Sequence, residues 1–317
     1  RLAWPTRWGV PFLACLIATL ADLSPASSQV GTVYSQQKIS DTQGGFAGVF
    51  DNTDKLGRSV VALGDLDSDG VTDIAVGVRN DDDGSADRGA VYVLFMNADG
   101  TVKADQKISA TAGGLTGPLA TSDQFGCSVA NIGDLDGDGV TDLAVGAFGT
   151  DDGGSNRGAV YVIFLNADGT VKAEQKISST TGGLTGPIDD LDLFGGNLAS
   201  VGDLDGDGAE DIAVGAVWDD DGGSARGAIW ILFLNTDGTV KAEQKISDTV
   251  GGFTGVLDDD DSFGTSVTNL ADLDGDGIVD IATGAPKDDD GGTNRGAAWI
   301  LFLNTDGTVK AEQKISD

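Results

Sequence analysis

Aspartate residues in a pattern that occurs four times carry the most explicit chemistry in this sequence. The pattern is D-x-D-x-D-G-x-x-D, with glycine at its sixth position in every copy. Alternate side chains of a tightly curled loop can converge on one point, and the glycine permits the turn that closes the loop. We therefore predict four metal sites, ligated by Asp65/Asp67/Asp69/Asp73, Asp134/Asp136/Asp138/Asp142, Asp203/Asp205/Asp207/Asp211 and Asp272/Asp274/Asp276/Asp280.

The ligand chemistry of these loops favours calcium. The seventh position would add a backbone carbonyl oxygen, and an all-oxygen, carboxylate-rich set is what Ca²⁺ prefers. Two carboxylates about 4 Å apart repel by roughly 4 kcal/mol at an effective dielectric constant near 20, so the loops need a cation to curl. A solvated acidic turn without metal is the alternative, but four intact copies argue against it. The predicted carbonyl donors are Val71, Val140, Ala209 and Ile278.

The loops differ from the EF-hand type, which needs a glutamate at position twelve and flanking helices. Position twelve holds Val76, Val145, Val214 and Thr283, and the flanking residues are typical of β-strands. Mg²⁺ fits less well because it retains more of its water, and Zn²⁺ would lack nitrogen and sulfur ligands. We expect about one Ca²⁺ per repeat, four in the chain.

Two weaker acidic features are interpreted without metal. Acidic runs in a glycine-rich middle loop are expected to be solvated, with a weak metal surface as the alternative; they are Asp81–Asp83, Asp151–Asp152, Asp219–Asp221 and Asp288–Asp290. Asn-x-Asp-Gly segments are expected to be strand-to-strand turns, and they begin at Asn97, Asn166, Asn235 and Asn304.

Composition excludes several classes of function. The chain has 317 residues, no histidine, and a net charge of −32 from 51 acidic and 19 basic residues. The absence of histidine excludes Ser-His-Asp and Cys-His nucleophile systems. The charge disfavours nucleic acid and anionic membranes as partners. Of two cysteines, Cys15 lies in the leader described next, and Cys127 is predicted to be a small packed residue.

The first 28 residues are predicted to be a secretory signal peptide, which leaves residues 29–317 as the exported part. Arg1 and Arg7 give the positive end, residues 10–20 form an apolar core, and Ala26-Ser27-Ser28 suits cleavage. An uncleaved anchor is the alternative, although a bilayer span needs about 20 apolar residues. After cleavage no membrane insertion is expected. Because the chain starts with Arg rather than Met, we expect a longer reading frame.

A strict internal repeat of 69 residues organises the rest of the chain. "QKIS" ends at positions 40, 109, 178, 247 and 316, which gives units of about 41–109, 110–178, 179–247 and 248–316. Within the second unit we predict four antiparallel strands at residues 125–133, 142–147, 158–165 and 170–178, the last polar and edge-like. The glycine-rich linkers between units contain a hydrophobic residue and are expected to pack over a sheet edge.

These motifs resemble the FG-GAP repeat of integrin alpha chains. Phe263-Gly264 opens a unit and Gly284-Ala285-Pro286 closes its core, while the first unit departs most, with Leu56-Gly57 at its start. The likeness covers roughly residues 31–317. It implies an all-β fold, a β-propeller of four complete four-stranded blades, with a calcium loop joining the first two strands of each blade. It also implies ligation by the four aspartate sets and ligand binding on the propeller face.

Residues 31–40 match residues 100–109, so an outer strand is expected at both ends of the chain. Four complete units plus a spare outer strand do not make a neat ring. We therefore expect truncation at Asp317, and an arc of blades with exposed faces or a small distorted ring.

The leading functional hypothesis is a secreted or cell-surface module for adhesion, or for recognition of an extracellular protein or glycan, stabilised by calcium. An accessory or structural surface region, such as a stalk of a larger secreted protein or enzyme, is the alternative. A catalytic role, for example a glycosidase using two carboxylates, is disfavoured because active sites are normally unique whereas these sites repeat. We predict no catalytic residue and no enzymatic activity.

Overall fold

A computed structural model of the chain describes residue 33 and residues 35–317, in which all regular structure is β. Sixteen strands form four antiparallel sheets of four strands each, in chain order, which we call blades 1 to 4. The predicted signal peptide lies outside the described residues. The strands are β1 Leu56–Gly64, β2 Asp73–Val78, β3 Ala90–Met96, β4 Val102–Ser109, β5 Val129–Asn131, β6 Leu143–Ala147, β7 Ala159–Leu165, β8 Val171–Ser178, β9 Phe194–Gly202, β10 Asp211–Ala216, β11 Ala228–Leu234, β12 Val240–Ile246, β13 Ser266–Asn269, β14 Ile281–Ala285, β15 Ala297–Leu303 and β16 Val309–Ile315.

The strand order within a blade follows from composition. The third strand, such as Ala159–Leu165, is β-branched and aromatic and is buried on both faces. The fourth strand, Val171–Ser178, contains mostly polar residues that are exposed or partly exposed, and it forms the outer edge of the sheet. Asn166 closes the hairpin between them, because its N–H donates to the carbonyl oxygen of Thr170 at 2.8 Å. The predicted turn is confirmed.

Neighbouring blades pack face to face. The forward face of each blade, such as Val91, Val93 and Phe95 of blade 1, packs on the rear face of the next blade, such as Tyr161 and Ile163 of blade 2. Two further cores of the same kind join blade 2 to blade 3 and blade 3 to blade 4. This stacking of sheets is the arrangement of a β-propeller.

The forward face of blade 4 has no such cover in the described part of the chain. Ile315 is 57% exposed, whereas its counterparts Ile177 and Ile246 are fully buried. Ile300 and Phe302 on β15 are likewise partly exposed. The described sheets therefore do not close into a ring. This agrees with the expectation drawn from the spare outer strand.

A backbone contact ties each blade to the one before it. The N–H of Phe125 donates to the carbonyl oxygen of Arg88 at 2.9 Å, and Phe263 donates to Arg226 in the same way at 2.8 Å. The phenylalanine rings are fully buried. The FG motif therefore serves the junction between blades as well as the start of its own blade.

Two strand predictions need correction. The first strand of blade 2 was expected at residues 125–133, but the strand comprises only Val129–Asn131, whereas the equivalent strand of blade 3 runs the full length from Phe194 to Gly202. Of the outer strand expected at residues 31–40, the described residues make only a bridge from Ser40 to Gln43, since no inner strand lies beside them to pair with.

Two packing predictions are confirmed. The linker residues Phe46, Leu184 and Phe253 are each less than 10% exposed and belong to the cores of the blades that follow them. Cys127 is buried, and burial raises the pKa of its thiol, as expected of a packed residue rather than a reactive one.

Candidate metal centre

The four aspartate loops join the first and second strands of each blade. In blade 1 the loop lies between β1 and β2, and Gly70 at its sixth position has φ of +88°. The equivalent glycines have φ of +88°, +95° and +90°, a region that disfavours residues with a Cβ atom. Each loop therefore has the left-handed turn that the sequence predicted.

The first aspartate of each loop curls the backbone around itself. Asp65 accepts hydrogen bonds from the N–H groups of Asp69, at 2.9 Å, and Gly70, at 2.8 Å. Asp134, Asp203 and Asp272 accept from the equivalent pairs of N–H groups. The side chain thus fixes the loop conformation locally.

The ninth-position aspartate anchors the loop to the sheet. Asp142 is fully buried, and its two oxygens accept from the N–H of Leu135 and the N–H of Leu165, each at 3.0 Å. Asp73, Asp211 and Asp280 make the same pair of bonds, to their own loop and to the end of the third strand. A carboxylate is therefore held rigidly at the base of each loop.

Three carboxylates of each loop converge. Ligand oxygens of Asp65, Asp67 and Asp73 lie within 4.8 Å of one another, and blades 2 and 3 repeat the arrangement. In blade 4 the convergent group is Asp272, Asp274 and Asp276. The structure thus brings together three members of each predicted quartet. Full quartets and the carbonyl donors at position seven remain predictions.

The third aspartate of each loop contacts an outer-strand lysine, and in blades 1 to 3 it is the quartet member that lies outside the convergent group. One oxygen of Asp69 accepts from the N–H of Val71 at 2.8 Å, and the other contacts the ammonium of Lys103. Asp138 and Asp207 make the equivalent contacts with Lys172 and Lys241.

These residues fit a hard divalent cation. The donors are all oxygens, and hydrogen bonds to backbone N–H groups hold the first and ninth aspartates of each loop in place. Burial raises the pKa of Asp142 to about 6, with the neighbouring charge of Asp136 adding to the effect, and burial likewise raises the pKa of Asp211 to about 6. A nearby cation would oppose both causes, because it stabilises the ionised form.

Sequence reasoning missed a lysine that faces every loop. Lys103, on the outer strand of blade 1, places its ammonium nitrogen 2.5 Å from Asp67 and also on Asp69. Lys172, Lys241 and Lys310 make the equivalent pairs with their own loops. Its recurrence in every Thr-Val-Lys segment was the available signal.

The middle loop also requires a correction. Asp81, Asp219 and Asp288 were expected to be solvated, yet each is at most 2% exposed. Each pairs with an outer-strand lysine, as Asp219 does with Lys245 at 2.6 Å, so the loop is tied to the edge of the blade. In blade 2 the equivalent position is Thr150.

A second buried aspartate accompanies these pairs. Asp192 is 3% exposed, and one of its oxygens accepts from the N–H of Asp189 at 2.8 Å. Burial, together with the charge of Asp219, raises the pKa of Asp192 to about 7. The same aspartate recurs in the other units as Asp54, Asp123 and Asp261, each at most 5% exposed, so its recurrence at the 69-residue spacing was the available signal.

Family models identify the repeats. An FG-GAP repeat model matches residues 57–94 and 263–301, and a second FG-GAP repeat model matches residues 119–164. These segments lie in blades 1, 4 and 2, and each contains one aspartate loop. The chain therefore carries FG-GAP repeats, and its sheets are propeller blades of that type.

Curated relatives point to the same repeats. Integrin alpha-PS5 of Drosophila melanogaster is 38% identical over 165 residues, which cover 51% of this chain and 15% of the relative. Integrin alpha-5 of Xenopus laevis is 37% identical over 167 residues, covering 51% and 14%. Integrin alpha pat-2 of Caenorhabditis elegans is 31% identical over 250 residues, covering 74% and 18%. The match thus spans less than a fifth of the length of these relatives.

No helix long and apolar enough to cross a membrane occurs among the described residues.

Proposed function

We propose that this chain, built of FG-GAP repeats similar to those of integrin alpha chains, is an extracellular calcium-binding module that recognises a protein or glycan ligand. The observation that carries the proposal is the fourfold group of three convergent carboxylates, one group in each blade. In this proposal calcium has a structural role, and the module is not catalytic.

Calcium would act by neutralising each loop where the chain reverses between two inner strands. In blade 2, Asp134 and Asp136 come from the loop, whereas Asp142 is held at its base by hydrogen bonds. An ion on all three would fasten the loop to the sheet. Extracellular calcium modules bind at about 10⁻⁴ to 10⁻³ M, which suits sites that are permanently filled outside the cell.

The expected stabilisation follows from mass action. At a free calcium concentration ten times Kd, one site that binds only the folded chain contributes about 1.4 kcal/mol. Four sites of that kind contribute about 6 kcal/mol, comparable to the whole stability of many domains. Calcium removal should therefore lower the melting temperature by many degrees.

A calcium titration tests the metal assignment. Isothermal titration calorimetry should give about four ions per chain, and excess EDTA should lower the thermal unfolding midpoint. Asparagine in place of the second loop aspartate in all blades (D67N, D136N, D205N, D274N) should abolish the calcium-dependent shift. The matched control (D99N, D168N, D237N, D306N) makes the same charge change in the hairpin turns. Unchanged melting on EDTA treatment of the unaltered chain would refute the assignment.

Recognition is tested separately from calcium. The calcium-loaded chain would be screened against extracellular matrix proteins and a glycan array. A reproducible ligand, lost when the chain is unfolded, supports a recognition module. Retention of nothing across both screens would favour the structural stalk instead.

A further inference from the structure

One pocket is lined by side chains from all four blades. Its volume is about 330 Å³, at the lower end of the range of about 300–1,000 Å³ for small-molecule sites. Arg58 and Arg79 come from blade 1, Phe148 from blade 2, Trp218 from blade 3 and Lys287 from blade 4. The first strands of the blades converge at this place.

The pocket lies at the opposite end of the inner strands from the calcium loops. Arg58 is near the start of β1, and Arg79 directly follows β2, whereas the aspartate loop joins the end of β1 to the start of β2. A strand rises about 3.3 Å per residue, so about 20 Å separates the two regions. The pocket is thus a site distinct from the metal centres.

Its lining differs among repeats that are otherwise close copies. Position 58 is Arg, and its equivalents are Cys127, Gly196 and Thr265. The calcium-loop aspartates, in contrast, are the same in all four units. The four repeats therefore share their structural residues but bring different side chains to one pocket. Two further repeat positions vary in the same way, with residues Arg79/Phe148/Val217/Pro286 and Asn80/Gly149/Trp218/Lys287.

The pocket is basic in a chain with net charge −32. Among the described residues, no carboxylate lies within ion-pair distance of Arg58, Arg79 or Lys287. Arg79 is oriented by two neighbours: its guanidinium carbon lies 5.8 Å from the centre of the Phe148 ring, and its Nε donates to the side-chain oxygen of Asn80 at 3.0 Å. Three cations are thus available to an incoming anion.

The apolar part of the lining offers a flat aromatic surface. Trp218 is 44% exposed, whereas Trp230 and Trp299, which occupy a different position of the repeat in the blade cores, are buried. Leu193 and Val217 lie beside it in the lining. An exposed indole next to cationic groups suits a ligand with one apolar face and one anionic group.

We propose that this pocket binds an anionic sugar, a pyranose that carries one carboxylate or sulfate. The sugar's apolar face packs on Trp218, and its anion is held by Arg58, Arg79 and Lys287. The proposal rests on the proposed recognition function and specifies its ligand class. A densely charged polyanion is disfavoured, because the field of the acidic chain repels it beyond the three cations of the pocket.

Ligand-observed NMR on the calcium-loaded full chain tests this assignment. The probes are methyl glucuronide, galactose 6-sulfate, neutral methyl glucoside and a glutamate-containing dipeptide. Binding of either or both anionic sugars, with the neutral sugar at least about tenfold weaker, is expected, since charge-assisted hydrogen bonds are the strong ones. Preference for the dipeptide, or equal binding of neutral and anionic sugars, would overturn the proposal.

The repeats themselves supply substitutions that the backbone tolerates. R58T, R79V, W218G and K287N each introduce the residue of an equivalent position and should each weaken binding at least several-fold. K38Q, which removes an exposed positive charge outside the pocket, and V256T, which alters an exposed apolar residue, are the controls. Equal loss of binding in the controls, or unchanged binding in all four pocket variants, would refute the site.

A melting curve keeps the two proposals distinguishable. The pocket variants should retain the calcium-dependent shift in melting temperature, because they lie far from the loops. A chain that shifts with calcium yet binds no sugar contradicts the pocket assignment alone. A chain that binds the anionic sugar without any calcium shift contradicts the metal assignment alone.

Discussion

The amide N–H of Phe194 donates a hydrogen bond to the carbonyl oxygen of Arg157 at 3.0 Å, which ties blade 3 to the middle loop of blade 2. Gly158, next in the chain, has φ of +89°, and a Cβ atom there would overlap the backbone carbonyl of Phe194. The glycine of the Arg-Gly pair therefore leaves room for this close approach of two backbones, as Gly89 and Gly227 do at the other two junctions.

The substitution G158A should strongly destabilise the chain. It combines the cost of a left-handed conformation with a backbone overlap, and we expect a loss of about 2–4 kcal/mol in unfolding free energy. The control G206A has a similar φ of +79° with open space around the new Cβ atom. Urea unfolding would measure both. A loss in G158A no greater than in G206A would contradict the interlocking of blades.

The loop lysines should compete with calcium. Each ammonium contacts two loop carboxylates, and these carboxylates raise the pKa of Lys103, so the side chain stays charged near any bound cation. The fourfold variant K103M/K172M/K241M/K310M should bind calcium several-fold more tightly by calorimetry, because a positive charge is removed from each site. It should also melt lower in EDTA, because the loops lose their internal countercharge.

The same outer strands provide a control for the lysine prediction. K107M/K176M/K245M/K314M removes four equal charges, but these lysines face the middle loops, as Lys107 faces Asp81 and Asp83. Its calcium affinity should stay near that of the unaltered chain. Weaker calcium binding in the first variant would instead mean that the lysines position the carboxylates for the ion.

The buried Asp192 should make stability depend on pH. Burial raises its pKa to about 7 in the folded chain, above the ordinary value of 3.8, with Asp219 and Asp189 adding to the rise and Lys245 opposing it. Because the unfolded chain releases this proton first, the contribution of Asp192 to stability falls as pH rises from about 4 to 7.

The substitution D192N should therefore stabilise the chain at pH 8, by on the order of 1–2 kcal/mol, and lose this advantage below pH 4. Thermal unfolding at both pH values would measure it. D189N, which changes the exposed neighbour, should have little effect at either pH. A destabilised D192N at pH 8 would show that the carboxylate is needed in its ionised form.

Phenylalanines at equivalent positions of different blades should contribute differently to the free energy of unfolding. Phe233 is 4% exposed between blades 3 and 4, whereas Phe302 lies on the partly exposed forward face of blade 4. F233A should cost about 3–5 kcal/mol, as for a core phenylalanine, and F302A less than half of that. Equal costs by chemical denaturation would show that another surface covers blade 4 in solution.

Much of this architecture could be predicted from the sequence, because strict periodicity repeats every local signal four times. Residues 159–165, β-branched and aromatic, specified a buried strand without tertiary information. The loops around Asp65 and Asp134 could be assigned because their ligands lie within nine residues of each other.

What escaped sequence reasoning depends on contacts between distant residues. Lys103 meets Asp69 across 34 positions, and the buried Asp219 pairs with Lys245 of the outer strand. The pocket residues Arg79, Trp218 and Lys287 could not be recognised as a group from the sequence, because each differs from the residues at the equivalent positions of the other repeats.

Within residues 35–317 no sheet covers the forward face of blade 4, and this gives the array a direction. A forward face meets only a rear face at each of the three junctions, so the first and last sheets are not interchangeable surfaces. Any additional sheet that joins beyond Ile300 must present a rear face like that of Ile163 and Leu165. Such an array can therefore extend only with all sheets in the same orientation. Two copies of blade 4 cannot cover each other by the same forward-to-rear packing, because each would present a forward face.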